Sequence, residues 1–88
     1  MPEITLVVNS KVGLHARPAS LFVKTAGKFT SDITVNHGER TANAKSILNV
    51  LTLGVNQGAK ITVEAEGPDA SEALAALQDL VNDNFGEE

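Results

Sequence analysis

The sequence contains no cysteine, no tryptophan and no tyrosine, and its aromatic side chains are limited to Phe22, Phe29 and Phe85 besides the two histidines. Without cysteine there are no disulfides, no thiolate chemistry and none of the common zinc sites. The shortage of stacking side chains, with 7 Lys and Arg against 11 Asp and Glu for a net charge of −4, argues against a nucleic-acid binder, which needs a basic field and aromatic platforms. No apolar run approaches the ~18 residues that span a membrane. The start, Met1-Pro2-Glu3, lacks the basic residues and apolar stretch of a signal peptide. These absences lead us to expect a cytoplasmic protein with no metal, no cofactor and no membrane insertion. At 88 residues and 42% hydrophobic, the chain supports one core and hence one domain over residues 1–88. A domain of this size buries only about 60–65% of the surface its unfolded form exposes.

The charges that are present are unevenly placed. Residues 4–31 hold Lys11, Arg17, Lys24 and Lys28 and no Asp or Glu, whereas the remainder is strongly acidic. Exposed charges are screened beyond about 10 Å at moderate salt, so a basic segment in an acidic chain suggests a local site for an anion or an acidic partner.

Ile4-Thr-Leu6-Val-Val8 alternates well enough for a half-buried strand. Ala19, Phe22, Val23 and Ala26 recur at helical spacing, with Pro18 tolerated only in a first turn and Gly27 as a stop. Ile33-Thr-Val35 and Arg40-Thr-Ala42 flank Asn36-His37-Gly38-Glu39, which reads as a hairpin connection with His37 as an exposed turn residue. A short helix opens at Ser46, Gly54 to Gly58 form a loop, and Lys60-Ile-Thr-Val-Glu-Ala-Glu66 alternates strictly. Asp69-Ala-Ser-Glu72 has the form of an acidic capping box ahead of a stripe of Ala70, Ala73, Leu74, Leu77, Leu80 and Val81. The order β-α-β-β-α-β-α in so short a chain implies an α+β fold, one sheet with three helices on one face.

The chemistry concentrates in Gly13-Leu14-His15-Ala16-Arg17-Pro18-Ala19. Pro18 places His15 at the helix N-cap or beside it, where free N–H groups and the positive end of the dipole gather. Arg17 adds a planar fork of donors suited to phosphate oxygens. A neutral imidazole is a nucleophile. A phosphoryl group captured on it would meet the same donors. The plainer alternative is a histidine that merely caps a helix. Against that stand the better caps available, the repulsion a charged ring would meet from Arg17, and the absence of any carboxylate from Ile4 to Ser31 to orient the ring as a hydrolytic base.

The same seven residues resemble the active-site motif of HPr, the histidine-containing phosphocarriers of the bacterial phosphoenolpyruvate:sugar phosphotransferase system. Asn43-Ala-Lys45-Ser46-Ile-Leu48 with Leu53-Gly54 resembles the second signature of that family, and the likeness extends over essentially the whole chain. It implies an open-faced β-sandwich with a four-stranded antiparallel sheet and three helices. It also implies that His15 accepts a phosphoryl group through Nδ1 from phosphorylated enzyme I and passes it to enzyme II A domains, with Arg17 as its stabilising partner. The resemblance further makes Ser46 a candidate for regulatory phosphorylation by an HPr kinase/phosphorylase, giving a form that binds a catabolite-control transcription regulator. A serine opening a helix is otherwise just its N-cap.

Ile47, Leu48 and Leu51, together with Leu21 on the first helix, form either a partner-docking patch or part of the core, and Lys24 is a charged candidate for the same docking surface. Gly54-Val-Asn-Gln-Gly58-Ala-Lys60 lacks the order of a nucleotide phosphate loop. Two rival functions remain open from sequence. One is a regulatory binding module of the same fold, acting by docking to a transcription factor or enzyme; the other is a small domain that binds a metabolite anion reversibly through His15 and Arg17.

Overall fold

A computed structural model describes residues 2–11 and 13–86. The elements, in chain order, are β1 (Glu3–Val7), α1 (Ala16–Ala26), β2 (Asp32–His37), β3 (Arg40–Asn43), α2 (Ile47–Thr52), β4 (Lys60–Glu66) and α3 (Ala70–Asn82), followed by a 3-10 turn at Asn84–Gly86. The four strands form one sheet in the order β1-β4-β2-β3, and every neighbouring pair is antiparallel.

Strand alternation decides which face is covered. Leu6, Ile61, Val63, Ala65, Ile33, Val35 and Ala42 are buried and occupy inward positions of the four strands. The opposite face carries Thr5 across from Thr62, and Asn36, which donates to Glu64 Oε1 at 2.8 Å and accepts from Thr41 Oγ1 at 2.8 Å. A face of this polarity gains nothing from burial, so the helices pack on the other. α1 contributes Ala19, Phe22 and Ala26 to the core, α2 contributes Val50, and α3 contributes Ala70, Ala73, Leu74, Leu77 and Val81. Fully burying a Val, Leu, Ile or Phe side chain stabilises by roughly 1.5–3 kcal/mol, so these residues hold the helices in place against the cost of ordering so short a chain. The α+β open-faced sandwich expected from the sequence is the fold observed.

Two local expectations need correction, and one further feature was not anticipated. Asp69 does open α3, but its side chain makes no cap bond; the capping box is not formed. Its carboxylate instead accepts from the backbone N–H groups of Thr30 and Ser31, both at 2.9 Å, and from both their hydroxyls. The reason is competition: four donors presented by the α1–β2 connection outbid the single N–H a cap would satisfy. His37 is not in the turn. It ends β2, half-buried, paired with Arg40, and only Gly38, at φ 63, carries the positive dihedral of the connection. Finally, the core extends beyond the α3 stripe, because Asn84 and Phe85 adopt φ of 54 and 58, which turns the Phe85 side chain inward to 1% exposure.

Candidate functional site

The site is assembled from a helix start and the loop beneath it. His15 is the N-cap of α1, with extended dihedrals of φ −124 and ψ 163, and its side chain makes no cap bond. The first three helical residues are thus Ala16, Arg17 and Pro18. The N–H groups of Ala16 and Arg17 have no acceptor within the helix, and Pro18 has no N–H to offer. The first turn contains no acidic residue, Arg17 is exposed, and Pro18 is fully buried. A half-buried imidazole, two backbone donors and the dipole's positive end therefore lie at one helix start, with Arg17 exposed in its first turn. Helix starts of this kind are suited to anions.

The chain leading into His15 is firmly seated. Gly13 adopts φ +65 and lies so close to the 54–58 loop that a Cβ on it would fall 2.1 Å from the Val55 carbonyl oxygen. That carbonyl accepts the Leu14 N–H at 3.0 Å, and the Leu14 side chain is fully buried. The glycine at position 13 follows from both requirements at once, a left-handed dihedral and a close backbone approach.

Ser46 is the N-cap of α2, its hydroxyl accepting from Asn49 N–H at 3.4 Å. The adjacent Lys45 is turned away, donating from Nζ to the Phe29 carbonyl at 2.7 Å. Of the apolar residues considered for docking, Ile47 and Leu48 are 38% and 72% exposed, while Leu21 and Leu51 are half-buried and packed against the core. Val50, not Ile47 or Leu48, is the residue through which α2 enters the core. Lys24 is exposed in the last turn of α1. α1 and α2 pack against each other, so the helix that begins at His15 and carries Arg17 and Lys24 is a neighbour of the helix that carries Ile47 and Leu48.

Sequence reasoning missed a second cluster. His37 Nδ1 lies 3.1 Å from the Leu53 carbonyl oxygen, and Arg40 Nη1 donates to the Thr52 carbonyl at 2.9 Å. Both side chains line a groove of about 560 Å³ with Gly38, Glu39, Leu53 and Gly54. The signal available was their position, since each continues an alternation of inward residues, Ile33-Val35-His37 and Ala42-Arg40. Among the described residues, no group of three or more His, Asp or Glu could hold a metal ion, and no helix is long and apolar enough to cross a membrane.

Comparison with known proteins places these features in context. Residues 2–83 match the family PTS-HPr, described as the PTS HPr component phosphorylation site. The chain is 42% identical over 83 residues to a phosphocarrier protein HPr of Mycoplasma capricolum subsp. capricolum, covering 94% of this chain and 93% of that protein. Among solved structures, HPr-C-His of Thermoanaerobacter tengcongensis superposes with a TM-score of 0.98 at 51% identity, covering 100% of this chain and 99% of that one. A phosphocarrier protein HPr of Bacillus anthracis superposes with a TM-score of 0.87 at 44% identity, covering 91% and 95% respectively.

Proposed function

This chain belongs to the PTS-HPr family of phosphocarriers, and from that premise we propose that His15 is the residue that carries the phosphoryl group, in a single domain spanning residues 1–88. The observation that supports this most directly is the open helix start: His15 is the N-cap of α1 yet makes no cap bond, and no acidic residue occupies the first turn. In the forward step, a lone pair on the imidazole attacks phosphorus. The bond from phosphorus to the donor breaks, and its electron pair leaves with the donor. The new negative charge then lies against the N–H groups of Ala16 and Arg17 and within reach of the Arg17 guanidinium. Transfer onward is the same step with the protein as donor, so the chain has no turnover of its own.

In this reading the donor is phosphorylated enzyme I, the acceptors are enzyme II A domains, and the relay runs in the cytoplasm. Lys24 and the apolar residues Leu21, Ile47, Leu48 and Leu51 supply the docking surface. Ser46 is a regulatory phosphorylation site for an HPr kinase/phosphorylase, and the phosphorylated form is the one offered to a catabolite-control transcription regulator. A phosphate on Ser46 would add about −1.5 to −2 charges beside that surface.

The test is incubation with phosphoenolpyruvate and enzyme I followed by intact mass measurement. The wild type should gain one acid-labile phosphate and His15→Ala none, whereas His37→Ala should still gain one at completion. Phosphorylation of His15→Ala would remove His15 from the role. Reversible anion binding with no covalent phosphate would favour the metabolite-binding alternative.

A further inference from the structure

The sheet's inward face ends in two basic residues where apolar ones would be expected. Ile33 and Val35 of β2 and Ala42 of β3 are buried against the helices, and the next inward positions are His37 and Arg40, directly opposite each other across the hairpin. Each reaches a carbonyl at the end of α2: His37 the one of Leu53, and Arg40 the one of Thr52. α2 has only six residues and no basic residue in its last turn, so nothing within it complements the negative end of its dipole. The hairpin supplies that complement from outside. Beyond Leu53 the chain turns at Gly54, at φ +66. It then presents the Val55 carbonyl on which the Leu14 N–H is seated at 3.0 Å. A continuous series of contacts thus runs from the hairpin to the residue preceding His15.

We propose that His37 and Arg40 are positioning residues for phosphoryl transfer: by fixing the Thr52 and Leu53 carbonyls they hold the loop on which Leu14, and through it His15, is placed. This rests on the reading of His15 as the acceptor. Neither residue touches the transferred group. Arg40 is exposed, so water can replace its hydrogen bond at little cost in stability. Water does not, however, fix where the carbonyl points. The loop then samples neighbouring positions, and His15 spends less time aligned for attack.

The experiment compares the wild type with His37→Leu/Arg40→Met, which removes both donors and keeps the side-chain bulk. It also includes His37→Asn/Arg40→Lys, in which an amide nitrogen takes the place of Nδ1 and an ammonium can still reach Thr52. Two quantities are read: hydrogen exchange of the Leu14 amide, and the maximal rate of His15 phosphorylation at saturating phosphorylated enzyme I. In the donor-less variant, Leu14 exchange should speed up on the order of tenfold and the maximal rate should fall roughly threefold to tenfold. The half-saturating concentration should change less, and the donor-retaining variant should recover most of both effects. Unchanged Leu14 exchange and an unchanged maximal rate would overturn the proposal, as would a loss that the donor-retaining variant fails to restore. If the wild type were phosphorylated elsewhere than His15, that would sink the acceptor assignment, and Leu14 exchange would still judge the hairpin's hold on the loop. Should the double variant fail to fold, Arg40→Met with Arg40→Lys provides the same comparison.

Discussion

α1 and α3 begin in opposite ways. α3 starts with aspartate, among the strongest capping residues, yet the Asp69 carboxylate is given over to Thr30 and Ser31 across the fold. α1 starts with histidine, a weak cap, and its side chain satisfies none of the helix N–H groups. Both starts are left without a cap of their own, for different reasons. At Asp69 the chain exchanges local helix stability for a tertiary tie between the α1–β2 connection and α3. At His15 the helix dipole is left unanswered by any side-chain cap. An unfilled helix start thus serves a tertiary tie in one place and, on the function proposed above, the arriving phosphoryl charge in the other.

The sharpest way to break this contrast is to make the two starts alike. His15→Asp puts a good cap on α1, so it should raise the thermal midpoint through a gain of about 0.5–2 kcal/mol while abolishing phosphoryl transfer. Calorimetry and the mass assay read the two effects, and a stability loss would mean that the start is not free to be capped. Next in size is Arg17, two residues along the chain from His15. Arg17→Ala should slow phosphorylation more than Arg17→Lys, because the planar fork as well as the charge is lost, with little change in stability for an exposed side chain. Equal rates in wild type and Arg17→Ala would remove Arg17 from the site.

Ser46 tests whether charge on the second helix start acts at a distance. Ser46→Asp should slow phosphorylation of His15 and keep the fold, whereas Ser46→Ala should transfer at nearly the wild-type rate with a capping loss of at most ~0.5–2 kcal/mol. An Asp variant as fast as the wild type at low salt would count against the regulatory role.

The smallest effect concerns acid. The Ser31 hydroxyl, followed by the Thr30 N–H, holds the Asp69 carboxyl at about 2 rather than 3.8. A folded-state value below the unfolded one contributes stability that is fully present above pH 3.8 and is lost as pH falls toward about 2. Asp69→Asn should therefore melt below the wild type at neutral pH, and the gap should narrow through that acid window. A constant gap would show that the tie does not depend on the ionised form.

The sequence made the large features legible for plain reasons. Period-two alternation in Lys60–Glu66 and the spacing of the α3 stripe each bury one face, and Pro18 marks a helix start because it is excluded from deeper turns. The place of His15 at the start of α1 was legible because the proline that fixes it is local in sequence. What stayed hidden depends on residues far apart in the chain. The partners of Asp69 lie 38 and 39 residues away, and a short-range capping pattern cannot register donors that only the fold delivers. The His37 contact to Leu53 spans 16 residues and reverses the expectation of an idle turn histidine in the same way. The inward swing of Phe85 depends on left-handed dihedrals at two residues other than glycine, which no local preference favours.

The strand order has a consequence for how the protein comes into being on the ribosome. β4, residues 60–66, lies between β1 and β2 and, among the described residues, is the only strand paired with β1. The seat of Leu14 is the carbonyl of Val55. An emerging chain that ends before these residues has synthesised His15 early but has neither a closed sheet nor a platform to set the imidazole upon. Such long-range closure is slow compared with local helix formation, so His15 is synthesised well before the elements that seat it. If His15 is the acceptor proposed above, a nascent chain should be invisible to its phosphoryl donor until Val55 and β4 have left the exit tunnel.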